Sequence, residues 1–235
     1  MSSDAVGGLK SGGRWRHDVK SRFGVRLFEL VTKDCGMTVI ASFCMSLDGF
    51  VARPDNSVGP LFDWYSRGDV EVPMAGYPIT FRVSAASADY LRAQIDLARI
   101  SAFVCGRRVF DHTGGWGGNP PGNGRAFVVT HREPPADWPA ERLAPFTFVP
   151  DGVESAINQA KAAGDGNVSV SGPAVAQQCL NAGLLDEIRI DLVPVFLGEG
   201  IPYFANIDND GAELERVEVV EGDGVTHLRY RVHYR

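Results

Sequence analysis

The sequence predicts one α/β domain: a mixed, mostly parallel sheet with helices on both faces and an antiparallel hairpin at its carboxyl end. Three observations predict it. From Met37 onward, short apolar runs alternate with segments of helical period, the order that builds parallel strands through crossover helices. That alternation ends at a long strand beginning at Asp186. Beyond it, residues 213–234 read as two strands around Gly222–Asp223–Gly224, a hairpin signal.

Each element has its own justification. MTVIASFCM (37–45) is a buried strand, and residues 46–82 are a long irregular stretch with Gly, Pro and aromatics. SAASADYLRAQIDLARI (84–100) is a helix capped by a serine near its start, with Leu91, Ile95 and Ala98 on one face. AFVCG (102–106) is a strand that runs into a short helix from Arg107. AFVVT (126–130) and FTFV (146–149) are strands. DGVESAINQAKAAG (151–164) is a helix whose Asp151 and Glu154 have capping-box spacing. NVSV (167–170) is a strand, and PAVAQQCLNAG (173–183) is a helix with Pro173 in its first turn and Gly183 as its stop. DEIRIDLVPVFLG (186–198) is the long strand.

Composition narrows the function. Hydrophobic residues at 44% and charged residues at 22% are those of an ordinary globular protein. No apolar run approaches the length needed to cross a bilayer, and no signal peptide shows, so the sequence predicts a cytoplasmic protein without a membrane partner. The leader, residues 1–36, carries seven Lys/Arg and four Asp/Glu, a net of +3; the remainder carries 16 basic and 25 acidic residues, a net of −9. The leader reads as a disordered extension upstream of Met37, or as a basic tail that meets a partner. An acidic body argues against nucleic-acid binding and suits a local basic site for a small anion. Cys35, Cys44, Cys105 and Cys179 are scattered, and the five histidines lack metal-ligand spacing, so neither a disulfide framework nor a metal site is expected. His227 and His233 alternate within the last strand and read as structural.

Four segments carry candidate chemistry. In GRRVFDHTGGWGG (106–118), a strand passes through Gly106 into a helix that opens with Arg107 and Arg108. Such a junction is either an anion site with two guanidinium groups or a tight turn with two solvated arginines. A second junction, Ser171–Gly172–Pro173–Ala174–Val175–Ala176, has the same design and is neither a Rossmann fingerprint nor a Walker loop. Two such junctions in one domain suit a pyrophosphate held between two helix ends. Thr130, His131 and Arg132 end a strand, where open α/β sheets bind ligands, and suit a 2′-phosphate; the alternative is a charged loop. Ser46, Asp48 and Gly49 leave the first strand and either face a ligand or only organise a turn. LFDWYS (61–66) and Trp116 supply either an apolar wall for a flat heterocycle or plain core.

With those segments in hand, the chain resembles the dihydrofolate reductase-like superfamily, and in particular the reductase domain of the riboflavin-biosynthesis deaminase–reductase. The resembling segments are MSLDGFVA (45–52), GRRVF (106–110), FVVTHR (127–132), VSVSGPAVAQQCLNAGLLDEIRIDLVPVFLGEG (168–200) and GVTHLRYRV (224–232). Together they span roughly residues 37–235, and the leader has no counterpart. The resemblance implies a sheet of about eight strands and NADPH as hydride donor. It implies that Gly106, Arg107, Arg108 and Ser171 to Ala176 meet the pyrophosphate. Thr130, His131 and Arg132 would meet the 2′-phosphate, and Ser46, Asp48 and Gly49 would lie near nicotinamide and substrate.

Two departures stand out. Val109 takes the place of the threonine usual in dihydrofolate reductases. No carboxylate sits in the matching motif for their protonating acid; Asp89 lies only in roughly the right helix, so dihydrofolate is a less suitable substrate.

Two functions follow. The first is an NADPH-dependent reductase of a small heterocyclic substrate, by family default 5-amino-6-(5-phosphoribosylamino)uracil, with Asp48 orienting the substrate or relaying a proton and Trp116 at the substrate mouth. Arg53, Arg67 or Arg82 would anchor a ribityl phosphate. The second is a non-catalytic nucleotide-binding or regulatory module, which the missing acid favours. IRIDLVPVF and the terminal hairpin offer a face for a homodimer.

Overall fold

The apolar run after Met37 forms β1 (Val39–Ser46), the strand around which the sheet is organised. In a computed structural model of the chain, the residues described are 37–74, 79–121, 124–208 and 211–235, less the side chains of residues 95–98. Met37–Arg235 is one unit. The expectations for residues 1–36, and for Ile95 and Ala98 on the helix face, lie outside the described residues.

After β1 come β2 (Phe50–Ala52), a 3₁₀ helix (Gly59–Ser66), β3 (Val70–Pro73) and β4 (Thr80–Val83). Then follow α1 (Ala85–Ala98), β5 (Ile100–Gly106), α2 (Arg107–His112), a 3₁₀ turn (Gly114–Gly118) and β6 (Arg125–Val129). The rest is α3 (Ala140–Leu143), β7 (Phe146–Val149), α4 (Gly152–Ala162), β8 (Asn167–Ser171), α5 (Pro173–Asn181), β9 (Glu187–Val193), β10 (Ile201–Pro202), β11 (Ala212–Gly222) and β12 (Val225–Tyr234).

Eight strands pair in the order β11-β12-β9-β1-β8-β5-β6-β7. The pairs from β9 through to β7 are parallel; β12 joins β9 antiparallel, and β11–β12 is the terminal hairpin. The sheet is therefore mixed and mostly parallel. One face is covered by α4 and α5, whose Val153, Ile157, Val175 and Cys179 pack on Val39, Val104, Val170 and Ile188. The other face carries two separate clusters. Leu61, Trp64 and Ala88 pack over Cys44, Val193 and Val225 on one half, and Phe110 packs over Phe103, Cys105 and Val128 on the other.

The local readings hold with three differences. Ser84, the N-cap of α1, accepts a hydrogen bond from the Ser87 N–H as a cap should. Asp151 makes no side-chain cap at α4 despite the capping-box spacing. The long strand stops at Val193, before Pro194, which has no N–H for the ladder. Residues 46–82 contain the β3–β4 hairpin, two four-residue strands too short for a periodicity signal.

The gap between the two clusters is what makes a site. β1 pairs with β8 only through Val39–Ala41, while its pairing with β9 continues to Ser46. Beyond Ala41 the chain of β8 turns away into α5, so Ser42 is exposed in the middle of a central strand. Connections leave β5 through α2 toward β6 and leave β8 through α5 toward β9. Neighbouring parallel strands whose crossovers diverge create a crevice at their carboxyl ends.

Candidate functional site

A cleft of about 650 Å³ opens at that divergence. Both sequence junctions line it: Gly106, Arg108 and Val109 from one, and Ser171, Gly172, Pro173, Ala174 and Val175 from the other. The two are packed against each other through their glycines. A Cβ on Gly106 would stand 3.2 Å from Val175 Cγ2, and one on Gly172 would stand 2.9 Å from Val109 Cγ2. Gly172 has φ +95° and ψ 124°, a conformation only glycine adopts without strain. Close approach of the two helix starts thus requires Gly172, whereas a Cβ on Gly106 would need Val175 to give by a few tenths of an ångström.

The adjacent arginines part company. Arg108 lines the cleft, and its Nε donates to Asn56 Oδ1 at 2.7 Å. Arg107 does not line it. Its Nε donates to Asp111 Oδ1 at 2.7 Å and its NH1 to the Glu133 carbonyl at 2.8 Å. Asp111 also accepts from Arg132 at 2.9 Å, so one carboxylate ties α2 to the loop after β6. Thr130, His131 and Arg132 lie on that loop, one strand outward from the cleft lining, with Thr130 Oγ1 accepting from the Arg132 N–H. Ala176 is buried behind the α5 start.

The first loop is placed differently from the expectation. Ser46 is fully buried, and neither it nor Asp48 nor Gly49 is among the lining residues. Ser46 donates to Asp48 Oδ1 at 2.5 Å, and Asp48 accepts from the N–H groups of Gly198 at 2.8 Å and Leu197 at 3.2 Å. The Ser46 hydroxyl first, then those backbone donors, hold the Asp48 carboxyl below its ordinary value. An acid so stabilised as its anion is poorly suited to donate a proton. Asp48 staples the β1–β2 turn, at Gly49 with φ +89°, to the loop after β9.

Trp116 is also outside the lining. Its ring meets Phe103 edge-on at 5.2 Å within the second cluster. Gly115 beneath it is closed off by Trp138 at 2.8 Å and Phe110 at 2.9 Å from a would-be Cβ. The glycine pairs therefore form a left-handed turn that packs under Trp138. The aromatic run divides: Trp64 is core, whereas Phe62 and Tyr65, stacked at 5.0 Å, line the cleft.

The carboxylate that lines the cleft escaped the sequence reading. Asp191 of β9 is the only carboxylate among the described residues that line the cleft. Its signal was the alternation Glu187, Arg189, Asp191 within an otherwise apolar strand.

Open α/β sheets bind their ligands in the crevice at the carboxyl ends of strands whose crossovers diverge, and the glycine-lined cleft lies there. The chain belongs to the RibD C-terminal domain family, whose family model matches residues 37–228. No curated protein is similar enough in sequence to match. Solved structures share the fold. A Shewanella sp. PV-4 protein, described as a candidate riboflavin biosynthesis protein, is 21% identical with a TM-score of 0.64, covering 84% of this chain and 99% of that one. The Thermotoga maritima diaminohydroxyphosphoribosylaminopyrimidine deaminase/5-amino-6-(5-phosphoribosylamino)uracil reductase is 16% identical with a TM-score of 0.51. That match covers 83% of this chain and only 56% of the Thermotoga protein. Enterococcus faecalis dihydrofolate reductase, in complex with NADP(H), is 17% identical with a TM-score of 0.50, covering 84% and 96%.

Proposed function

We propose that this protein is an NADPH-dependent reductase of a small heterocyclic substrate, with residues 37–235 as its reductase domain. The observation that carries the reading is the meeting of two glycine junctions, from different strand–helix units, on one cleft beside Arg108. The residues fit the cofactor. Gly106 and Gly172 let the two junctions pack together where a Cβ would meet Val175 or Val109, and the nine-residue α5 points its N-terminus at the cleft. That end and the Arg108 guanidinium would hold the pyrophosphate.

Thr130, His131 and Arg132 would meet the 2′-phosphate, with Arg107 and Asp111 bracing their loop. Phe62 and Tyr65 offer an apolar wall to a flat ring. When bound, the reduced nicotinamide supplies a hydride. The chain's own residues orient the ring pair and exclude water from between them.

A phosphoribosylaminouracil is the substrate class best supported, because the Thermotoga protein that shares the fold carries that reductase name. The test has two parts. NADPH is titrated against intrinsic tryptophan fluorescence, and absorbance loss is then followed with 5-amino-6-(5-phosphoribosylamino)uracil. Saturable binding with turnover supports the reading. Saturable binding without turnover on any pyrimidine or pterin favours a nucleotide-binding module, and no binding sinks both.

A further inference from the structure

Cys44, Asp191 and His227 stand opposite one another on three adjacent strands: Cys44 faces Asp191 across β1–β9, and Asp191 faces His227 across β9–β12. Asp191 Oδ1 lies 2.6 Å from His227 Nδ1, and His227 Nε2 lies 2.8 Å from Ser87 Oγ on α1. The imidazole is fully buried, stacked on Tyr90 at 4.3 Å and meeting Trp64 edge-on at 5.2 Å. The chain of bonds runs from the interior to the cleft, where the Asp191 side chain keeps 16% of its surface exposed.

We propose that Asp191 is the acid that protonates the substrate in this cleft, with His227 and Ser87 behind it as a positioning relay. The proposal rests on the reductase reading above.

Three features carry it. Asp191 is the only carboxylate lining the cleft among the described residues. The relay accommodates either charge state without moving a heavy atom. Neutral His227 donates from Nδ1 to Asp191 and accepts from the Ser87 hydroxyl; the imidazolium donates at both ends, and the hydroxyl turns to accept. The other groups facing Asp191 do not compete for the proton. Burial holds the Cys44 thiol and the Tyr65 and Tyr90 hydroxyls protonated. Arg189 pairs with Glu187 at 2.5 Å; Arg229 lies 2.9 Å from Glu187 and 3.9 Å from Glu218, so these charges answer one another.

The step balances. A hydride from the reduced nicotinamide forms a C–H bond at the carbon of the substrate's C=N or C=O group. The π pair moves to the heteroatom, which takes a proton from the Asp191 carboxyl as that O–H bond breaks. The nicotinamide leaves oxidised, and the Asp191–His227 pair regains one proton from water entering the cleft.

The test uses the full chain with Asp191→Asn, His227→Asn and Ser87→Ala. NADPH and NADP⁺ are each titrated by tryptophan fluorescence, and turnover is followed with 5-amino-6-(5-phosphoribosylamino)uracil across pH. Asp191→Asn should leave NADPH affinity within about twofold yet weaken the cationic NADP⁺ by about 3–10-fold, because an anion near the ring is lost. It should lower kcat by about 100-fold and flatten the alkaline limb of the pH profile, where loss of the acid's proton limits turnover. His227→Asn keeps a donor toward Asp191 but cannot carry a proton. It should lower kcat about tenfold with KM and both cofactor affinities unchanged, and Ser87→Ala should act in the same sense more weakly.

An unchanged NADP⁺/NADPH affinity ratio in Asp191→Asn overturns the proposal, whether or not this substrate turns over. So does turnover by Asp191→Asn within about threefold of wild type, given the size of general-acid effects. Wild-type protein that binds neither nucleotide defeats the reductase reading instead.

Discussion

Replacing Gly172 by alanine tests the geometry that brings the two junctions together. The perturbation has two parts. At φ +95° and ψ 124° an L side chain is strained whatever the space around it, at a cost of about 1–3 kcal/mol. The new methyl would also stand 2.9 Å from Val109 Cγ2, inside van der Waals contact. Overpacking of that kind costs about 1–3 kcal/mol, though Val109 can yield by turning, so the lower half applies. The sum is about 2–5 kcal/mol. In a domain of this size each kcal/mol lowers Tm by roughly 2–4 °C.

Urea denaturation of Gly172→Ala, Val109→Ala and the double variant separates the parts. The contact part should appear as a coupling of about 1 kcal/mol between the two sites, while the backbone strain persists in the double variant. NADPH affinity should fall in Gly172→Ala as the start of α5 is displaced. Stability within about 0.5 kcal/mol of wild type, with no coupling to Val109, would refute the packing argument, since that is the scale of an ordinary surface change.

Other predictions follow from the same contacts. Arg108→Ala should weaken NADPH by about 1–3 kcal/mol in a fluorescence titration with little loss of stability, as removal of a charge-assisted phosphate contact does. Arg107→Ala should reverse that ranking, because its guanidinium is spent on Asp111 and the Glu133 carbonyl. Asp48→Asn should destabilise the protein at neutral pH without changing NADPH affinity. Since the folded Asp48 carboxyl is depressed, its contribution is present above about pH 3.9 and is lost as pH falls through the lower folded value. The variant and wild type should therefore converge in acid denaturation. Burial opposes ionisation of Glu187, but Arg229 and Arg189 outweigh it and depress the carboxyl, so Glu187→Gln should likewise cost stability above about pH 4.3 and not below.

Much of the fold was legible from residue 84 onward, because crossover helices and core strands there are long enough to show their periods. The β3–β4 hairpin was not, since four-residue strands carry too few alternations. The two glycine junctions were legible as well, because glycine at a strand-to-helix turn has a local cause.

Direction was not legible. Arg107 and Arg108 are neighbours in sequence, yet successive helix positions point about 100° apart, and only the fold says which one meets the cleft. Asp48 followed by Gly49 identified a turn, but whether its carboxylate faced a ligand or the N–H groups of Leu197 and Gly198 depended on a loop 149 residues away. Trp116 suggested a stacking surface, yet its partner Phe103 lies on another element. Asp191 was hidden inside a run read as one apolar strand. Its alternation with Glu187 and Arg189, in a strand with neighbours on both sides, implied buried charge that needed partners.

The most direct test of the central claim is a crystal structure of the full chain with NADPH. The account predicts the pyrophosphate between Arg108 and the Ser171–Val175 turn, with the nicotinamide end toward Ser42, Cys44 and Asp191. Nucleotide bound elsewhere on the sheet, or a cleft that stays free of it at saturating concentration, would contradict the account.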